Sequence, residues 1–201
     1  HRYIVDGSPQ VGDVWSGSSW RSIVTASVGA GGRAVFALDV TDPSTFDGSK
    51  VLWELTNAQD TDIGVGISRP AIVPLEDGNF YVVFGNGYNS DSQDAVLYAA
   101  DANTGRVAST RKVVLADGST SAPNGLGPVT VIDTNGNELG DTIYAGDYQG
   151  NLWKVTVSSA GVMSSAYGAT PLFVATDGAS PTPARQNITG GITVTRGAVA
   201  G

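Results

Sequence analysis

There is no cysteine in these 201 residues, and the single histidine is His1. The first absence excludes a disulfide framework, a zinc–thiolate site and a cysteine nucleophile. The second removes the base of a Ser-His-Asp triad and makes a two-histidine metal site impossible. Hydrolytic chemistry would have to run on carboxylates alone, so the composition leans toward binding rather than catalysis. Basic residues are also scarce. Eleven Lys and Arg stand against 19 Asp and Glu, a net charge of −8. No basic stripe of the kind a nucleic acid requires is present, so no nucleic-acid partner is expected. An acidic, carboxamide-rich surface suits cations, sugars or basic protein patches better. No run of about 18 apolar residues occurs, so no membrane insertion is expected. The opening, "HRYIVDGSPQVGD", has no signal-peptide pattern and reads as a start inside a longer precursor.

What is abundant is glycine, 27 residues, among many Val, Ile and Thr. That mixture predicts short strands joined by tight turns. Self-similarity sharpens the expectation. Strand openings recur at "SPQVGDVW" (Pro9), "RPAIVPLEDG" (Pro70) and "GPVTVIDTNG" (Pro128), 61 and 58 residues apart. Third strands with a central aromatic recur at "RAVFALDV" (Phe36), "AVLYAADA" (Tyr98) and "GNLWKVTV" (Trp153), 62 and 55 residues apart. Fourth-strand candidates follow each: "KVLWELT" at Trp53, "VASTRKVVL" at Val107 and "ATPLFVAT" at Phe173. Four antiparallel strands per repeat is the pattern of a β-propeller blade. The reading is an all-β protein with almost no helix, in repeats 9–69, 70–127 and 128–189. A fourth repeat opens near Gly190, in "NITGGITVTRG". About three and a half blades cannot close a ring, since propellers need at least about four. The 1–201 span is therefore expected to be part of a larger, seven-bladed propeller whose remaining blades pack against it.

One hairpin is longer than its counterpart. Pro70 to Gly85 is 15 residues with the turn "EDGN"; Pro128 to Gly146 is 18 residues with the turn "DTNGNELGD". The added length falls entirely in the polar loop. Counting from Asp133, oxygen-bearing positions alternate: Asp133, Asn135, Asn137, the backbone carbonyl of Leu139, and Asp141. An EF-hand loop places its ligands at the same alternate positions, because a chain curling around Ca²⁺ points every second side chain inward. Gly136 and Gly140 would permit left-handed backbone angles in such a curl. Two positions fit poorly: Glu138 stands where an EF-hand has glycine, and Tyr144 where it has a bidentate glutamate. The competing reading is a long Asn-Gly hairpin turn with no ion.

Other polar stretches read first as ordinary loops. "GYNSDSQDA", with Asn89, Asp91 and Asp94, is a solvated loop tip or else a second cation or sugar site. Asp60 and Asp62 in "NAQDTD" are read the same way. Trp15, Trp20, Trp53 and Trp153 are expected to pack blades rather than form a sugar platform. "QNIT" at Asn187 is a short, common sequon, and "GAGGRA" at Gly29 leads into a strand rather than the helix a dinucleotide site needs.

The stretches "DGSPQVGDVW", "WRSIVTASVGAGGRAVFALDVTDP", "SRPAIVPLEDGNFYVVFGNGYNS" and "YAGDYQGNLWKV" resemble the C-terminal propeller of the PilC/PilY family of type IV pilus proteins, from about His1 to Val157. In that family the third-blade hairpin carries an Asp-x-Asn-Gly-Asp-Gly-x-x-Asp loop that binds Ca²⁺. Asp133, Asn135, Gly136 and Asp141 match it; Asn137 and Glu138 depart from it. The resemblance implies Ca²⁺ as cofactor and a protein at the bacterial cell surface or pilus tip, exported through periplasm and outer membrane. It also implies support of pilus extension, twitching and surface adhesion. Implied partners are minor pilins at the tip and a host or abiotic surface receptor. Two alternatives belong to other classes. "LYAADANTGRV" resembles a blade motif of quinoprotein dehydrogenases, which would make this an enzyme fragment using pyrroloquinoline quinone. A lectin-like or purely structural propeller with an inert loop is the other.

Overall fold

A computed structural model describes residues 5–178, 181, 183–195 and 197. Three antiparallel sheets follow one another along the chain. Blade one contains β1 (Gln10–Trp15), β2 (Trp20–Ser27), β3 (Ala34–Asp39) and β4 (Val51–Thr56), hydrogen-bonded in that order. Next come β5 (Ala71–Pro74), β6 (Phe80–Gly85), β7 (Gly87–Tyr88), β8 (Ala95–Asp101) and β9 (Lys112–Ala116). Blade two runs β5-β6-β8-β9 and leaves β7 out. Blade three uses β10 (Gly125–Ile132), β11 (Thr142–Asp147), β12 (Asn151–Val157), β13 (Met163–Ser165) and β14 (Phe173–Val174). The only helical segments among the described residues are four 3-10 turns of three residues each. The all-β propeller expectation holds.

The stacking of blades follows from the two-residue period of a strand, which points successive side chains to opposite faces. Strand β8 shows it most fully, since Ala95 to Ala100 are all shielded from solvent. Val96, Tyr98 and Ala100 join a core with Val14, Ile23, Val35 and Trp53 of blade one. Ala95, Leu97 and Ala99 join a second core with Leu126, Ile143, Trp153 and Val155 of blade three. Each large apolar side chain buried this way contributes about 1.5–3 kcal/mol. A blade is thus hydrophobic on both faces and depends on neighbours for stability.

Three features differ from the sequence expectation. Pro128 does not open its strand. β10 begins at Gly125, and its pairing with β11 shifts register between Leu126 and Val129. Proline has no N–H to give the ladder, so it sits at that irregularity. The fourth strand of blade two starts at Lys112 rather than near Val107. In blade three the outer strand is split. β13 pairs the far half of β12, at Val155 to Val157, while β14 pairs its near end, at Asn151 and Leu152. Beyond Gly190 no strand forms among the described residues, and residues 196 and 198–201 of the fourth opening lie outside them.

Candidate metal-binding loop

The loop from Asp133 to Asp141 joins β10 to β11, whose last pair is Ile132 with Thr142. Asp133 organises its first half. One carboxylate oxygen accepts the N–H groups of Asn135 at 3.1 Å and Gly136 at 2.6 Å, and the other accepts Glu138 N–H at 2.7 Å. Asn135 Oδ1 accepts Asn137 N–H at 3.1 Å, and Asn137 Oδ1 accepts Leu139 N–H at 2.9 Å. The side-chain oxygens at alternate positions therefore accept backbone N–H groups of the loop itself.

Asp141 reaches the same region from the other side. It is buried, and one of its oxygens accepts the N–H groups of Thr134 at 2.9 Å and Asn135 at 3.2 Å. The Thr134 hydroxyl donates to both Asp141 oxygens at 2.8 Å. The Asn135 amide is shared between the two carboxylates. Burial pushes each carboxyl up, but donors outweigh it and hold both below the usual range. For Asp133 these are the N–H groups of Gly136, Glu138, Asn137 and Asn135. For Asp141 they are the Thr142 and Thr134 hydroxyls with the N–H groups of Thr134 and Asn135. Both groups are ionised at neutral pH.

Two backbone positions sharpen the sequence reading. Gly136 takes a positive φ of 83°, as expected. The second left-handed position is Glu138, at φ 69°, and not Gly140. Glutamate thus holds a backbone angle that favours glycine. Gly140 serves close approach instead. A Cβ there would lie 2.6 Å from a Val131 methyl, and its N–H donates to the Pro74 carbonyl at 2.9 Å in the neighbouring blade.

The sequence reading missed Glu76, in the "EDGN" turn of blade two. Its carboxylate accepts the Asn135 carboxamide N–H at 2.6 Å and the Asn137 carboxamide N–H at 3.1 and 3.3 Å. The donors suit a hard cation: two carboxylates, two carboxamides and the Leu139 carbonyl, which accepts no hydrogen bond among the described residues. Among the described residues no three His, Asp or Glu side chains gather closely enough to hold a metal between them. An ion at this loop would therefore depend on the carboxamide and carbonyl oxygens as well as the carboxylates.

The remaining candidates have structural partners. Asp60 and Asp62 both grip Lys112 Nζ of β9, at 2.7 and 2.8 Å. Arg33 reaches from blade one to Asp91 at 2.5 Å and to the Asn89 carbonyl at 2.6 Å, while Asp94 accepts Gly118 N–H at 2.7 Å. Trp53 and Trp153 are buried, their indoles donating to the Ala102 carbonyl and to Asp147, each at 2.9 Å. Trp15 and Trp20 are exposed and meet edge to face at 5.7 Å. The quinoprotein-like "DANTGRV" is a capped turn. Asp101 accepts the N–H groups of Asn103 and Thr104, and Gly105 (φ 70°) lies against the Trp53 ring.

Meander blades stacked through both faces, with an oxygen-lined loop on one hairpin, define a β-propeller. The chain belongs to the PilY1 β-propeller domain family, whose model matches residues 1–198. It is 44% identical over 214 residues to a type IV pilus biogenesis factor PilY1 homolog of Xylella fastidiosa, covering 100% of this chain and 14% of that protein. It is 42% identical over 154 residues to the type IV pilus biogenesis factor PilY1 of Pseudomonas aeruginosa, covering 77% of this chain and 13% of that protein. The crystal structure of the Pseudomonas aeruginosa PilY1 C-terminal domain superposes with a TM-score of 0.84 at 36% identity, over 97% of this chain and 42% of that one. The chain thus spans only a small part of the curated relatives it matches.

Proposed function

We propose that this chain is a calcium-binding, non-catalytic propeller module of a type IV pilus biogenesis protein at the cell surface or pilus tip. It would support pilus extension, twitching and surface adhesion, with minor pilins, a surface receptor and further propeller blades as partners. The observation that carries the ion is the shared Asn135 amide. It brings the Asp133 and Asp141 carboxylates to one point of the loop, and the Leu139 carbonyl accepts no hydrogen bond among the described residues. Asp133, Asn135, Asn137, Leu139 and Asp141 would supply the oxygens. Asn137 gives one direct charge fewer than an aspartate would, and Glu138 strains the curl, so affinity in the weak extracellular range, about 10⁻⁴–10⁻³ M, is expected. The bound ion would stiffen this face of the propeller for a partner. The pilus role follows from the relatives, which are named as pilus biogenesis factors. Calorimetric titration with Ca²⁺ is the test, with Asp133→Ala as control. Heat of binding in the parent and none in the variant is expected. A folded parent giving no heat at millimolar Ca²⁺ ends the proposal.

A further inference from the structure

The junction of blades two and three holds a second small site, which shares no residue with the metal loop. A cavity of about 250 Å³ is lined by Tyr88, Asn89, Pro123, Asn124 and Tyr148. Two aromatic rings form its walls. Tyr88 and Tyr148 lie 5.7 Å apart at 61°, and Tyr148 is 43% exposed. Neither hydroxyl, nor the Asn89 carboxamide, makes a hydrogen bond to protein among the described residues.

The backbone that presents these groups is rigid. Tyr88 is held on both sides: it pairs with Gly125 of β10, and it exchanges N–H and carbonyl bonds with Val65 at 2.7 and 2.8 Å. Asn89 sits in the left-handed region at φ 55°, and its carbonyl is held by Arg33 at 2.6 Å. Such angles in non-glycine residues concentrate at functional sites. Asn124 closes the floor, buried and held at both ends of its carboxamide. Its Oδ1 accepts Gly125 and Gln149 N–H, and its Nδ2 donates to Asp147 at 3.2 Å. The backbone that carries the rings and the bare carboxamide is thus held before any ligand arrives, which lowers part of the ordering cost of binding.

We propose that this cleft binds a terminal neutral hexose of a glycan. A pyranose presents a C–H face that packs on an aromatic ring and hydroxyls that pair with carboxamides and phenols. The cavity has room for one such ring and little more. The charge nearby excludes acidic sugars. Asp147 lies behind the floor, Asp91 lies beside Asn89, and the Arg33 guanidinium nearest the site is already paired with Asp91. The stacking platform is Tyr148; the Asn89 carboxamide and Tyr88 hydroxyl read the sugar hydroxyls. This proposal is independent of the calcium reading, because no residue is shared with the 133–141 loop.

Saturation-transfer NMR on the full chain, with and without Ca²⁺, tests it. The probes are the methyl glycosides of glucose, galactose, mannose and N-acetylglucosamine, with sialyllactose for comparison. Saturation of the ring C–H protons of at least one neutral glycoside is expected, unchanged by Ca²⁺. Tyr148→Ala, an exposed position, should abolish the signal. Asn89→Gly keeps the left-handed backbone at ease while removing the carboxamide, and should weaken binding about tenfold, the loss of a hydrogen bond to a neutral group. Absence of transfer to every neutral probe overturns the proposal. So does transfer that survives in both folded variants, or transfer to sialyllactose alone.

Discussion

The Glu76 carboxylate of blade two receives the Asn135 carboxamide of blade three at 2.6 Å, across the gap between two neighbouring hairpins. An aspartate at position 135 or 137 could not donate there and would repel Glu76 instead. The two carboxamides therefore let the third-blade loop dock on the second blade through hydrogen bonds.

Removing that acceptor should loosen the loop without unfolding the blades. Glu76→Ala is expected to cost about 1 kcal/mol or less, because the contact is solvent-exposed. Amide hydrogen exchange between Asn135 and Leu139 should rise severalfold, while β8 amides stay protected. Unchanged loop exchange would show that Glu76 is a bystander.

Relief of the left-handed glutamate should act in the opposite direction. Glu138→Gly is expected to raise stability by about 0.5–1 kcal/mol, the strain removed less the glycine entropy cost. The same substitution should tighten Ca²⁺ in the calorimetric titration. A lower melting temperature in the variant would contradict the φ of 69° as a source of strain.

A buried charge ties blade two internally. Arg111 Nη2 bonds Asp77 at 2.6 Å and the Tyr81 hydroxyl at 2.8 Å, its guanidinium lies 4.6 Å from the Tyr81 ring centre, and its Nε and Nη1 have no hydrogen-bond partner among the described residues. Arg111→Ala should cost about 3–5 kcal/mol by leaving Asp77 without its cation. Arg111→Ala combined with Asp77→Ala should cost less than the sum of the two single changes, measured by chemical denaturation.

The Lys112 contact sets a pH window. Burial pushes the Asp62 carboxyl up, but the hydrogen bonds of Lys112 and Ser92 and the Lys112 charge bring it below the usual range. Burial pushes the Lys112 ammonium down, but the hydrogen bonds and charges of Asp60 and Asp62 raise it overall. A depressed acid stabilises above its unfolded value, so that part is lost as pH falls below about 4. A raised base stabilises below its unfolded value, so that part is lost as pH rises beyond about 10.4. Melting curves across pH should show both limbs, and Lys112→Met should flatten the alkaline one.

The repeat architecture was legible because strand period and blade period are both local. The aromatic at Phe36, Tyr98 or Trp153 recurs once per blade, and each sits in a third strand as predicted. The loop was legible for the same reason: Asp133, Asn135, Asn137 and Asp141 are neighbours in sequence. Glu76 was not, because it arrives from a hairpin about one repeat earlier. Neither was β13, since "MSS" has no strand-like alternation and pairs only because β12 offers an edge. "GYNSDSQDA" looked like a free tip. Its Asp91 and Asp94 carboxylates and the Asn89 carbonyl are occupied by Arg33 and Gly118, partners no local pattern could reveal.

Strand β7 lies in the sequence of blade two yet hydrogen-bonds into the sheet of blade three, through Gly87 and Tyr88 opposite Leu126 and Gly125. The unit that repeats along the gene is therefore not the unit that closes in space. Excising or duplicating one repeat would strand a two-residue ribbon without its partner sheet. Shuffling of these blades, by recombination or by design, must therefore carry blades two and three as one piece.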